Sequence, residues 1–235
     1  MKNEINISDI LLERPVGFTI EEKRFYIYPL SLGKLTLISE ITKASGLNMQ
    51  YMVLNPLLEV QSMVERNKEL AARIVAYGTC QGRDVFDEDL VSGRASFFKE
   101  NMEDGDMTTL LIAILTNDKT DKAISQLGID DEQRRMQKVV SLTDNKHNVS
   151  FGGSSVYGTV IDAACERYGW TMDYVLWGIS YSNLRLLLAD KVSQMYLNDD
   201  ELKKCRGLLT RRSDRVNVDK NPGLAREIIK AQFKD

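Results

Sequence analysis

The chain has 235 residues, 43% of them apolar and 28% charged, and a formal net charge of −3. That length buries one core of ordinary size or two small ones, and the mild acidity excludes a general attraction to nucleic acid or to an anionic membrane. No apolar run approaches the roughly 18 residues that cross a bilayer, so a soluble protein with no membrane partner is expected.

Residues 1–46 read as an N-terminal arm, a β-hairpin and a first helix. The opening MKNEINISDILLE mixes charge into its first apolar positions, unlike a secretory leader. Ile5, Ile7, Ile10, Leu11 and Leu12 form an apolar segment, strand or arm, that ends at Arg14-Pro15. Val16–Ile20 and Arg24–Tyr28 are β-branched and aromatic runs joined by Glu21-Glu22-Lys23, a hairpin signal. Alternation places Phe25 and Ile27 on one face and Tyr26 and Tyr28 on the other. Ser31 then caps a helix carrying Leu32, Leu35, Ile38 and Ile41, which Gly46 closes.

Residues 47–142 read as a helical middle region. Met49 to Tyr77 is helical with an interruption at Pro56, and Gly78 and Gly82 break it. Asp87-Glu88-Asp89 opens a helix at about Leu90, where acidic side chains suit the positive end of the dipole. That helix carries Phe97 and Phe98, one of which suits a core and the other a surface. Asp106 caps the apolar run Leu110–Leu115, and Asp121–Leu127 and Asp131–Leu142 are two amphipathic helices. Residues 143–155 are polar and Gly-rich, the pattern of a linker.

Residues 156–209 read as a helical unit with an aromatic face. A serine caps a helix with Val156, Val160, Ile161 and Ala164, and Gly169 stops it. A second start at Thr171 spaces Tyr174, Trp177 and Tyr181 by three and four, along one helical face. Ser182 caps a helix with Leu184, Leu187, Leu188, Val192 and Met195, and Asp199-Asp200-Glu201 begins a short helix ending near Gly207. Residues 210–235 are a polar tail and a docking helix that follows Pro222, with Leu224, Ile228, Ile229 and Phe233 as its seam.

No catalytic, cofactor or metal constellation accompanies this pattern. Cys80, Cys165 and Cys205 lie far apart, without disulfide pairing or metal-ligand spacing, which fits a reducing cytoplasm. A single histidine, His147, excludes a multi-His zinc site and reads as a loop residue. The acidic run Asp84–Asp89 lacks the ligand alternation of a calcium loop and reads as a charged helix start. Phe151-Gly152-Gly153 lacks the lysine and preceding strand of a phosphate loop. Arg211, Arg212 and Arg215 are diluted by Asp214 and Asp219 and lack interleaved aromatics, so they give no nucleic-acid signature. Partner contacts are expected instead at Phe97, Phe98, Tyr168, Trp170, Trp177 and Tyr181, residue types enriched at interfaces.

Two stretches resemble a known family. RFYIYPLSLGKLTLISEI, residues 24–41, is similar to the start of bacteriophage tail assembly chaperones, where a hairpin leads into a helix through Pro29, Leu30, Ser31, Leu32, Gly33, Lys34 and Leu35. IDAACERYGWTMDYVLWGISYSNLRLLLAD, residues 161–190, is similar to their later segment, here through Tyr168, Gly169, Trp170, Val175, Leu176, Leu184 and Leu187. The resemblance implies a mainly α, bundle-like protein with an N-terminal β-hairpin, acting without enzymatic activity or cofactor in the cytoplasm of the bacterial host. It implies a partner in the hydrophobic tape-measure protein or another tail protein, and action in many copies as a homo-oligomer. Adaptable methionines, including Met49, Met52 and Met63, would suit such a surface. The alternative is a structural or adaptor protein of the virion that holds neighbouring subunits through its terminal arms.

Overall fold

A β-hairpin followed by many helices is what the period-2 run and the succession of period-3.6 runs predict, and it is what forms. The computed structural model describes residues 7–116, 118–143, 155–190, 195 and 197–209. His147, Gly152, Gly153, most of the expected linker, Arg211, Arg212, Arg215 and the expected docking helix lie outside the described residues. The hairpin pairs β1 (Val16–Ile20) with β2 (Lys23–Ile27), and Phe18 faces Phe25 across it. Glu21 and Glu22 both take positive φ, 45° and 62°, which matches the tight turn to the strand twist.

The helices are α1 (Ile7–Leu11), α2 (Leu32–Ala44), α3 (Met49–Leu54), α4 (Pro56–Arg66), α5 (Lys68–Thr79), α6 (Glu88–Asn101), α7 (Asp104–Thr116), α8 (Thr120–Gln126), α9 (Ile129–Leu142), α10 (Val156–Tyr168), α11 (Tyr181–Ala189) and α12 (Asp199–Leu209). The chain divides into two compact units, Met1–Asp130 with Ser150–Val192, and Asp131–Val149 with Ser193–Asp235. In the second, Val139 and Cys205 are buried and Arg135 donates to the Leu208 carbonyl at 3.2 Å.

The first unit is built around α5, whose Ala71, Ala72, Ile74, Val75 and Ala76 are fully buried. Val60, Met63 and Val64 of α4, Phe98 of α6 and Met107 and Leu111 of α7 close around it. The inward face of the hairpin completes this core, with Phe18 and Phe25 set against Phe98 at ring separations of 6.1 and 4.9 Å. Each such side chain contributes about 1.5–3 kcal/mol by leaving water.

Several local expectations change on contact with the structure. The N-terminal apolar segment is helical where described, as α1. The stretch from Met49 to Tyr77 is three helices, because Asn55 and Asn67 each cap the next one through a side-chain oxygen. Gly78 does not end α5. It lies inside the helix against Ile114, which would stand 2.9 Å from an added Cβ. Helix α7 begins at Asp104, so Asp106 sits in its first turn and is not the cap. Ser180, not Ser182, caps α11, its hydroxyl accepting from the Asn183 N–H. Of the three methionines expected on the surface, Met52 and Met63 are core and Met49 is exposed.

Candidate partner-binding cleft

Three pieces of chain meet where the hairpin leaves its second strand. Tyr28 donates its N–H to the Gly78 carbonyl at 3.0 Å, which ties the exit to the end of α5. Two residues later the Leu30 carbonyl accepts from the Tyr181 N–H at 2.8 Å, and Ser31 bridges Ser180. Ser31 and Ser180 are each the cap of a helix, α2 and α11, so the two starts lie side by side. Glu13 locks the third piece. With φ at 51°, it brings its carboxylate back to accept from the Ser180 N–H at 2.8 Å and the Asn183 amide at 2.9 Å.

Tyr28, Leu30, Ser180 and Tyr181 from these ties line one side of a cleft of about 840 Å³. Ile10, Ile27, Leu30, Leu35, Ile114 and Leu115 give it an apolar lining. Tyr28 and Tyr181 add rings with polar tips, and Val16, largely exposed, lines it as well. The rim is charged but largely self-paired. Arg14 meets Asp9 at 3.0 Å, and Arg185 bridges Asp118 at 2.6 Å and Asp121 at 2.5 Å. Burial of Asp118 works to raise its carboxyl pKa, but hydrogen bonds from Thr120 and the Arg185 charge outweigh it and hold the group below its usual range. Lys119 and Lys122 stay exposed beside this pair.

The six side chains proposed for partner contact do not share one face. Tyr181 lines the cleft, half-buried, with the Arg185 guanidinium 5.8 Å from its ring centre. Tyr168 and Trp170 stack at 4.6 Å, with exposed Tyr174 set edge-on to Trp170 at 5.1 Å. Tyr168 also donates to the Leu187 carbonyl at 2.9 Å, so its hydroxyl is already engaged. Trp177 lies on Gly33 and against Phe86, as part of the fold. Phe97 is half-buried on Phe25 beneath the Lys23 ammonium. Phe98 is 0% exposed and is therefore a core residue, not a contact.

The expected alignment of Tyr174, Trp177 and Tyr181 fails for a local reason. The helix from Thr171 is a single widened turn, Tyr174–Gly178, and Ile179 after it is extended at φ −124°, ψ 145°. That break sends Tyr181 into a different helix. What the sequence reasoning missed is the cleft itself, since its walls come from α1, the strand exit, the end of α7, the start of α8 and the start of α11. Its one local signal in the sequence is the apolar pair Ile10 and Val16 on either side of Arg14-Pro15.

Lys34 is the other unusual group. It is 2% exposed, and burial pushes its pKa down to about 8 against the partial support of Cys80 and Glu13. Its ammonium donates to the Cys80 carbonyl at 3.1 Å, while Arg94 donates to the Thr79 carbonyl at 2.6 Å. Two cations thus satisfy the C-terminal carbonyls of α5, a capping role. Among the described residues no group of three His, Cys, Asp or Glu side chains is placed to hold a metal ion, and no helix is long and apolar enough to cross a membrane. No protein-family model, no curated protein and no solved structure matches the chain.

Proposed function

We propose that this chain is a non-enzymatic phage tail assembly chaperone that holds a segment of the hydrophobic, helical tape-measure protein during tail morphogenesis. The resemblance of residues 24–41 and 161–190 to that family supports the identity of the partner. The observation that carries the binding role is the cleft, about 840 Å³ in volume, whose lining joins aliphatic side chains and two tyrosines to a charged side on which Lys119 and Lys122 stay exposed. A helix is about 10–12 Å across and advances 5.4 Å per turn, so this volume corresponds to roughly one and a half to two turns of client. Helix-in-groove recognition uses apolar anchors at i, i+3, i+4 and i+7, which suits a trough lined by aliphatic side chains and two tyrosines. Cytoplasmic action in the bacterial host follows from the same reading.

The test uses the full chain as bait in infected cells, beside mass spectrometry of purified particles. The expected result is recovery of a long helical tail protein, at least about tenfold weaker for the Val16→Asp, Tyr181→Ala double variant, and absence of the chain from particles. Val16 is largely exposed and Tyr181 half-buried at the cleft, so neither change removes core volume on the scale of Phe98. Presence in particles at fixed stoichiometry would overturn the chaperone reading and make the chain a virion part. Undiminished recovery by the double variant would take the client away from the cleft.

A further inference from the structure

The ten residues Met49 to Leu58, MQYMVLNPLL, include no charged side chain. Six of them are large, apolar and more than half exposed: Met49, Tyr51, Val53, Leu54, Leu57 and Leu58. Val53 and Leu54 reach 84% and 79%. This is not a loosely attached segment. Asn48 accepts from the N–H groups of Gln50 and Tyr51, Asn55 accepts from that of Leu58, and Pro56 starts α4 where a missing N–H costs nothing. Met52, Val60, Met63 and Val64 anchor the pair of helices in the core from beneath. Helix α3 and the first turn of α4 therefore turn apolar side chains outward, where a surface helix ordinarily presents polar ones, whereas further along α4 the exposed residues Gln61, Glu65 and Arg66 are polar.

The size of that outer face narrows what covers it. Six such side chains, on the order of 100 Å² each, give roughly 600 Å², the top of the range for patches left bare on monomers. It approaches the about 800 Å² that each partner contributes to an interface of standard size. Its electrostatics narrow the choice further. The flanking charges Glu59 and Arg66 pair with one another at 3.7 Å, and Glu65 accepts from Gln61 at 3.0 Å. Residues 49–58 themselves carry no charge, so a strongly charged partner finds nothing on them to pair with. A second copy meets no opposed like charge across a two-fold axis, where each residue faces its own kind of surface.

We infer that the exposed side of α3 and the first turn of α4 is a homodimer interface, laid against the same segment of a second copy. The cleft and this face share no residue, so each copy in the dimer keeps its cleft. The inference stands whatever the cleft binds. Association rests on apolar contact alone, so salt changes it little.

Sedimentation velocity on the full chain, from low micromolar to several hundred micromolar, tests it. The wild type is expected to pass reversibly from monomer to dimer. Val53→Asp with Leu54→Asp buries two carboxylates against apolar surface and raises the dissociation constant at least about 100-fold, without lowering the melting temperature at concentrations where the wild type is monomeric. Hydrogen exchange on the unsubstituted chain gives a second reading: amides of residues 49–58 should gain protection as concentration rises. A wild type that stays monomeric throughout overturns the inference, and so does a dimer that persists in the double variant. Should the double variant fail to fold, exchange in 49–58 that is independent of concentration overturns it as well.

Discussion

Gly33 has no room for a side chain. A Cβ there would stand 2.5 Å from two carbons of the Trp177 ring, so the start of α2 and the aromatic residue touch through bare backbone. Gly33→Ala is expected to cost about 1–3 kcal/mol, seen as a lower melting temperature, and to cost little in a Trp177→Leu background. An equal loss in both backgrounds would remove the indole as the cause. Beside it, Lys34 makes stability depend on pH in an unusual direction. The unfolded chain takes up the lysine proton near 10.5 and the folded chain only near 8. Between those values the unfolded state binds more protons, so raising the pH favours the fold. Relative to Lys34→Met, wild type should gain roughly 1 kcal/mol of stability between pH 7 and pH 9 in denaturant titrations. Above pH 9 the Cys80 thiol, pushed up by burial, acts in the opposite sense, so the lower interval isolates the lysine. A flat difference across that interval would mean the ammonium is not held out of water. Residue roles of this kind were only partly legible: Ser31 announced itself as a cap, whereas a lysine inside an apolar helix start gave no sign that it was buried.

At the scale of elements, the hairpin and most helices could be read because their apolar periods are strong and their caps are local. Where the reading slipped, a single polar residue decided. Asn67 carries no periodicity and yet divides α4 from α5, and Ser180 outcompetes Ser182 because Ile179 before it is already extended. Contacts between elements left weaker traces. Glu13 is an example: nothing near it in sequence says that its carboxylate will cap α11 from a left-handed turn. Glu13→Ala removes the acceptor from the Ser180 N–H and the Asn183 amide, and should cost about 1–3 kcal/mol. The specific readout is hydrogen exchange at the Ser180 backbone amide, which should speed up while amides in α5 keep their protection. Unchanged exchange at Ser180 would show that the pin is dispensable.

For the whole molecule, composition and periodicity sufficed for the class, mainly α with an N-terminal hairpin, because class depends on each segment separately. The cleft depended on which segments meet, and no single-residue pattern encodes that. The six aromatic residues expected at a partner were legible as a group enriched for contact, but the structure disperses them, and of the six only Tyr181 lines the cleft. The tie between Glu13 and Ser180 has a consequence in time. The two residues are 167 positions apart. At the about 5–20 residues per second of synthesis, Glu13 waits roughly 10–30 s for its partner, while the hairpin and helices α2 to α7 are already available to fold. Ser180 to Ser182 therefore leave the ribosome after every other residue that lines the cleft, so the hairpin, α1 and α7 sides exist before the side that Glu13 pins in place.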